Sequence, residues 1–376
     1  MACDEGILPR TVRAWESVDT FEHEPLTDAT KQIRLFTLHP SSVQDDTLSG
    51  TVENFDFEQC PEYLALSYEW GALDTHDITI DRQRLQIRTN LWLFLTYWSR
   101  RAIPKQQNPL HTLSMIGTKY WWIDQICINQ SSPVERSHQV RLMSAIFPRA
   151  RCVVAWLGTE TEVEAYLDDQ TDSESGSSRF RNASYFSRLW VQQELLLAKQ
   201  VFFAAGDALL PWSNIRKRKS FLTPGYELPA ILELLLKTKF EPLRLFKAIE
   251  QFSSCYCADP RDKVYGLLGM IGSGPSLEID YLLQPKQVLH ATVDRVLTLE
   301  RCDYGVKRTL VNLAISMGLE GEVEHVEDLA DKRYPFGSTR KTPRDRSGMM
   351  TPGDFASLQE GREGLSTEDY AVWKLP

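Results

Sequence analysis

Four short runs of almost unbroken apolar character decide what this chain can fold into. They are "EYLALSYEWG" (62–71), "KYWWIDQICI" (119–128), "RCVVAWLG" (151–158) and "QVFFAAG" (200–206). A strand with one wet face alternates apolar and polar residues, whereas an unbroken run has no wet face and must be covered on both sides. Segments of helical spacing lie between the runs. "TNLWLFLTYW" (89–98) repeats Leu91, Phe94, Leu95 and Trp98 behind Asn90 as N-cap. "SSPVERSHQVRLMSAIF" (131–147) opens with Ser132 as N-cap, Pro133 at the first helical position and Glu135 three residues after the cap. "SRLWVQQELLLAK" (187–199) supplies a third helix. Strand and helix in alternation describe an α/β fold with a mostly parallel sheet flanked by helices. In such sheets ligands bind outside the carboxyl ends of the strands. "SYEWG", "DQICINQ" and the start of the 187–199 helix all lie at or just after that end, so they can converge on one pocket.

The remaining segments divide the chain. Residues 1–30 are mixed and acidic, an irregular lead-in. "KQIRLFTL" (31–38) alternates like a half-buried strand, and "DITIDRQRLQI" (77–87) reads as a hairpin turning at Asp81 to Gln83. Thr159 to Ser178 holds seven acidic residues and no Lys or Arg, as a mobile, solvated insertion would. Beyond Trp212 the pattern turns helical: 228–240, 243–252, 258–270 (Asp259 as N-cap before Pro260) and 285–300. "RKRK" (216–219) is either a solvated turn or an anion-binding or nuclear-import patch. From Asp331 onward Gly, Pro, Ser, Thr and charge dominate, the composition of a disordered tail. The expected units are therefore a lead at 1–30, an α/β core at 31–215, a helical extension at 216–330 and a tail at 331–376.

Composition removes several function classes. A net charge of −9 argues against general nucleic-acid binding, which needs a basic surface. Seven cysteines without framework spacing point to reduced thiols in a cytoplasmic or nuclear setting. Cys255 and Cys257 lack the second pair a zinc site would need, so no metal or other cofactor is expected. "MACDEGILPR" has no signal-peptide pattern, and no apolar run approaches the ~20 residues that span a bilayer. Neither a P-loop nor a Gly-x-Gly-x-x-Gly stretch occurs, which removes support for an ATPase or a dehydrogenase. Ser67 lacks a Gly-x-Ser-x-Gly elbow, and Cys127 has no histidine near it in sequence, so it reads as a packed thiol. Trp121, Trp122 and Trp156 read as core.

One residue resists the structural pattern. At helical spacing Glu194 is surrounded by Trp190, Val191, Leu197 and Ala198, so its helix carries a carboxyl into apolar surroundings. Burial of that kind requires a partner or a purpose. An ion pair with Arg149, Arg151 or Arg181 would be structural; an unpaired carboxyl would be chemical. Asp124 at a strand end has the same two readings, a turn cap or a site group.

Taken together, "LALSYEWG" (64–71), "YWWIDQICINQ" (120–130), "ERSHQVRLMSAIFPRA" (135–150), "VVAWLG" (153–158), "SRLWVQQELLLA" (187–198) and "DPRDKVYGLLG" (259–269) resemble, in order and spacing, the fungal heterokaryon incompatibility (HET) domain. The resemblance covers residues 31–215, the last block extending it to Gly269. It implies a filamentous fungus, a role in non-self recognition ending in programmed cell death, self-association and an incompatibility partner protein. It also implies a remote likeness to Toll/interleukin-1 receptor (TIR) domains, whose fold is flavodoxin-like. Enzymatic TIR domains carry a strand ending in Ser, a second ending in Asp and a helix whose Glu cleaves NAD. Here "ALSY", "WID" and the Trp190-x-x-x-Glu194 spacing resemble those three parts. The resemblance thus makes Glu194 the catalytic candidate and NAD or a related nucleotide the substrate. One carboxylate can stabilise the oxocarbenium-like state, since nicotinamide leaves as a neutral base. Ser67, Tyr68, Trp70, Asp124, Asn129, Gln130, Arg188 and Trp190 are the candidate substrate contacts. A non-catalytic module that signals by self-association stays open beside the enzymatic reading.

Overall fold

The structure, a computed structural model, describes residues 18–39, 48–101, 118–168, 172–222, 227–237, 240–272, 277–300 and 304–333. Among the described residues, nine strands form one sheet: β1 Gln32–Leu38, β2 Ser49–Asp56, β3 Tyr63–Tyr68, β4 Thr75–Ile80, β5 Gln83–Arg88, β6 Tyr120–Trp122, β7 Val153–Trp156, β8 Val201–Ala205 and β9 Ala208–Pro211. Their spatial order is β5-β4-β2-β1-β6-β3-β7-β8-β9. The helices are α1 Thr89–Arg101, α2 Asp124–Cys127, α3 Pro133–Arg149, α4 Thr161–Leu167, α5 Glu174–Arg181, α6 Leu189–Leu196, α7 Trp212–Ile215, α8 Ala230–Leu236, α9 Leu245–Phe252, α10 Asp262–Leu268, α11 Pro285–Leu299, α12 Tyr304–Ser316 and α13 Val323–Arg333.

The middle of the sheet is parallel. β6, β3, β7 and β8 are neighbours, with Leu64 opposite Trp121, Ala65 opposite Val153 and Phe202 opposite Val154. In chain order these are the second, first, third and fourth parallel strands, the arrangement of flavodoxin-like doubly wound sheets. The topological switch lies between β3 and β7, and α6 packs across both. Every residue of β3, β7 and β8 is buried, as their unbroken apolar runs require. Trp121, Trp122 and Trp156 are core, and Phe94 packs edge-on to Trp121 and Trp156. Antiparallel strands finish both sides. β2 and β9 were not expected, and the β4–β5 hairpin turns on Asp81 and Arg82 at φ +50° and +69°, the left-handed pair such turns use.

Four expectations are corrected. The run "KYWWIDQICI" is a strand only to Trp122; Cys127 N then donates to Ile123 O (2.7 Å) and the chain coils into α2. Ile126, Cys127 and Ile128 are nonetheless buried, so an apolar run of this length fits a buried turn as well as a strand. Asn90 is not an N-cap: it lies inside the first turn of α1, donates to Glu69 O (2.5 Å) and accepts from Trp156 Nε1 (2.9 Å). Within 159–178 the described residues form α4 and the start of α5, not a solvated loop. Val163, Tyr166 and Leu167 are buried, and Arg179 pairs with Glu160 and Glu162 across the acidic side. The "RKRK" stretch is no free basic patch: Arg216 donates to Leu236 O, and buried Arg218 donates to Tyr166 O beneath that tyrosine's ring.

The described part of the lead-in is anchored. Phe21 N bonds Arg84 O, His23 Nε2 meets Ile126 O (2.8 Å), and Glu24 O accepts from Arg34. Ser132 caps α3 through Glu135 N, with Pro133 at its first turn, as the sequence indicates. Of the tail expected over 331–376, residues 331–333 instead end α13, and the rest lies outside the described residues. No described helix is long and apolar enough to cross a membrane.

Candidate functional site

The three consecutive polar residues of α6 face three different tasks. Gln192 Nε2 donates to Phe186 O and Arg188 O, both at 2.8 Å, closing the helix entry. Gln193 Oε1 accepts from Gly269 N (3.1 Å), and a Cβ on Gly269 would fall 2.2 Å from that oxygen and displace the Gln193 amide. Glu194 meets the sheet. Its Oε2 accepts a short hydrogen bond from the Ser67 hydroxyl near the end of β3, and Ser67 Oγ lies 2.6 Å from the Tyr185 hydroxyl. The arginines that would make this carboxyl structural are elsewhere. Arg149 pairs with Glu58 and Arg151 with Glu62, while Arg181 donates to Ser177 and to backbone oxygens of Ser220 and Phe221. Among the described residues, Glu194 has no ion-pair partner. Burial pushes its pKa up to about 8 against the Ser67 hydrogen bond, with Asp124 pushing further up and Arg188 pulling down.

A second carboxyl stands beside it. Asp124, half-buried where β6 gives way to α2, accepts from Trp70 Nε1 (2.8 Å) and from Gln125 N (2.7 Å). Burial raises its pKa as well, opposed by those donors, by Tyr68 and by Arg188. Gln125 Oε1 accepts from the Tyr68 hydroxyl and from Arg88 N, both at 3.3 Å, and the Arg88 guanidinium lies 5.7 Å from the Trp70 ring centre. Arg188, half-buried at the entry of α6, acts electrostatically on Glu194, Asp124, Tyr68 and Tyr185. Its guanidinium makes no hydrogen bond or ion pair with a described residue.

The candidate residues therefore separate. Glu194, Ser67, Tyr68, Trp70, Asp124 and Arg188 come together at the carboxyl ends of β3 and β6. Ser67 is fully buried and spends its hydroxyl on Glu194 and Tyr185, so it stands behind the carboxyl and not in front of it. Asn129 and Gln130 support a turn: Asn129 Oδ1 accepts from Ser131 N and Oγ, and Gln130 Nε2 donates to Asp124 O. Trp190 turns away, donating to Asp262 Oδ2 (3.0 Å) over Gly266. Tyr185, Gln125 and Arg88 belong to the cluster and were missed; only their nearness to "SRLW", "DQIC" and the β5–α1 junction could have suggested them. Cys127, with its pKa pushed up to about 12 by burial, is a packed thiol. Among the described residues no group of His, Cys, Asp or Glu side chains is arranged to hold a metal.

A family model for heterokaryon incompatibility protein (HET) matches residues 63–177, which include Ser67, Tyr68, Trp70 and Asp124. Over that segment the chain is similar to the HET family. Tyr185, Arg188 and Glu194 complete the site from beyond the matched segment. Over 362 residues the chain is 26% identical to heterokaryon incompatibility protein 6, OR allele, of Neurospora crassa, covering 74% of this chain and 52% of that protein. The chain thus spans about half the length of this curated relative. A short stretch of 42 residues is 76% identical to the glycogen [starch] synthase of the same fungus, covering 11% of this chain and 6% of that protein. No solved structure matches the chain.

Proposed function

We propose that this chain is an effector of fungal heterokaryon incompatibility that brings about cell death by hydrolysing the nicotinamide–ribose bond of NAD or a closely related nucleotide, with Glu194 as the catalytic residue. The observation that carries the proposal is the Glu194 carboxyl: buried, oriented by Ser67, without an ion-pair partner among the described residues, at the carboxyl end of a doubly wound sheet. The ligand's charges complement the site. Its pyridinium brings a close positive charge to two raised carboxyls that have no ion pair among the described residues, and its phosphates suit the Arg188 guanidinium, which bonds no described residue. Half-buried Trp70, held through its indole N–H by Asp124, offers an aromatic face.

The reaction balances simply. The bond between the ribose C1′ and the nicotinamide nitrogen breaks, its electron pair leaving with neutral nicotinamide, and water adds at C1′ with loss of one proton. Ionised Glu194 stabilises the developing oxocarbenium charge at close range. Because burial favours the protonated form, bound pyridinium assists catalysis before the bond breaks, by drawing Glu194 into its ionised state. The remote TIR likeness of the strand ends and of Trp190-x-x-x-Glu194 supports the same assignment.

The test is nicotinamide release from NAD by the purified chain, dilute and forcibly clustered, beside folded Glu194→Gln. Release that disappears in the variant establishes the hydrolase. No release from the clustered wild type, with cell killing on expression indifferent to Glu194→Gln, replaces it with a self-associating signalling module.

A further inference from the structure

The helix that carries Glu194 is held by a segment well outside the stretch the family model matches. Leu189 N donates to Tyr256 O (2.9 Å) and Tyr256 N to Ser187 O (2.8 Å), so the chain bridges Arg188 and Tyr256 side by side. One turn on, Trp190 Nε1 donates to Asp262 Oδ2 (3.0 Å), and a Cβ on Gly266 would lie 3.1 Å from Leu189. The Gln193 to Gly269 hydrogen bond closes the far end. Two of these ties, those of Trp190 and Gln193, run from side chains of α6 to α10, while Glu194 reaches β3.

Asp262 is the centre of this attachment. It is buried, and its second oxygen accepts from the Tyr281 hydroxyl (2.6 Å). The Tyr281 ring has Arg136 at 3.9 Å and Arg261 at 5.2 Å, and Tyr281 N donates to Ser137 Oγ (3.1 Å). Asp259 pairs with Arg261 (2.6 Å) and Arg136 (3.6 Å), so the cluster grips α3 as well, the helix that follows the Asp124 turn. Both halves of the site are thereby tied to one acidic side chain that touches no ligand.

We infer that Asp262 is a positioning residue: through Trp190 and Tyr281 it sets the rotation and depth of α6 against β3, and so the places of Glu194 and Arg188. The helical region after β9 is then a working part of the effector. This inference rests on the proposed hydrolase for its consequence but not for its geometry. Carboxyl-labelled 376-residue chain is titrated by carbon NMR in wild type, Asp262→Ala and Trp190→Phe, the last removing the indole N–H together with part of the ring's bulk. Burial pushes the Glu194 pKa up to about 8 in wild type. In both variants a loosened α6 admits water, and the titration moves down by at least one pH unit, with faster amide exchange in 191–197 and unchanged exchange in β3 and β7. Nicotinamide release falls about tenfold in kcat with little change in KM. Unmoved Glu194 titration and unmoved α6 exchange in Trp190→Phe overturn the inference, including where Asp262→Ala fails to fold. If the wild type releases no nicotinamide, the hydrolase falls and the titration and exchange alone decide the positioning role.

Discussion

Glu135 on α3 and Glu194 on α6 are equally hidden, at 8% and 7% exposure, yet they sit in opposite electrostatic regions of one sheet. Glu135 is fully answered. Arg34, itself 1% exposed, donates to both its oxygens (2.6 and 3.1 Å), and Asn129 N adds a third bond (2.8 Å). Arg34 also reaches Cys127 O and Glu24 O, so that pair ties the lead-in, β1 and the turn after β6 together. Glu194 has one hydroxyl, a neighbouring carboxyl and only the unbonded Arg188 charge at a distance, and burial pushes its pKa up to about 8. Burial alone therefore does not distinguish a structural acid from a chemical one. The identity of the partner does, because the desolvation cost is met by countercharge in one case and by protonation in the other.

The largest effects test the answered member. Arg34→Met or Glu135→Ala leaves one buried charge unpaired and is expected to cost about 3–5 kcal/mol in urea unfolding. The double variant Arg34→Met/Glu135→Leu recovers most of that loss. If either single change costs under about 1 kcal/mol, Arg34 and Glu135 are not the structural pair described. Glu194→Gln comes next and reverses the pattern. Nicotinamide release falls on the order of 10²–10³-fold, while the urea midpoint at pH 7 holds or rises, because the amide retains the Ser67 partner and cannot ionise. A large stability loss in this variant would return Glu194 to the structural class.

The same contrast shows what could be read from the residues. The unbroken runs of β3, β7 and β8 dictate a buried sheet, and Ser132, Pro133 and Glu135 mark the start of α3 correctly, because those signals are local. The anomaly at Glu194 is equally local, a carboxyl where the helix demands apolar side chains. Arg34 was invisible for the opposite reason: in "KQIRLFTL" it occupies the polar phase of an alternating strand, and only Glu135, about a hundred positions away, turns that face inward. β2 escaped notice because "SGTVENFD" is mostly polar and only partly buried although it is interior to the sheet, and β9 because it is a four-residue edge strand. Trp190 was expected at a ligand because its spacing from Glu194 was correct; its indole instead answers Asp262, a partner that no spacing rule supplies.

A third effect is smaller per unit but carries a sign. Burial raises the Glu194 pKa from 4.5 to about 8, so the native chain keeps a proton that the unfolded chain loses. That contribution to stability is greatest at low pH, declines from about pH 4.5 to about pH 8 and is flat beyond. Asp262, pushed to about 7 by burial and by Asp259, adds a decline of the same sign, so the wild type must be read against Glu194→Gln. The difference between the two is expected to change by up to about 1.4 kcal/mol per pH unit inside the window. Parallel curves would mean that Glu194 is already ionised in the fold.

The smallest effect is the most diagnostic of how the carboxyl is held. Ser67→Ala removes the hydroxyl that meets both Glu194 and Tyr185, for about 1–3 kcal/mol of stability, and takes away the donor that favours the ionised form of Glu194. The Glu194 pKa must then rise above its wild-type position, and the rising limb of the release profile moves to higher pH with the maximal rate approached only at the alkaline end. This direction is opposite to that expected for Trp190→Phe, which lets water in and lowers the pKa. Two variants on opposite sides of the same helix thus pull one titration in opposite directions. A shared direction would mean that both merely loosen the fold, and the difference between an acid held by countercharge and one held by a hydroxyl would lose its meaning for function.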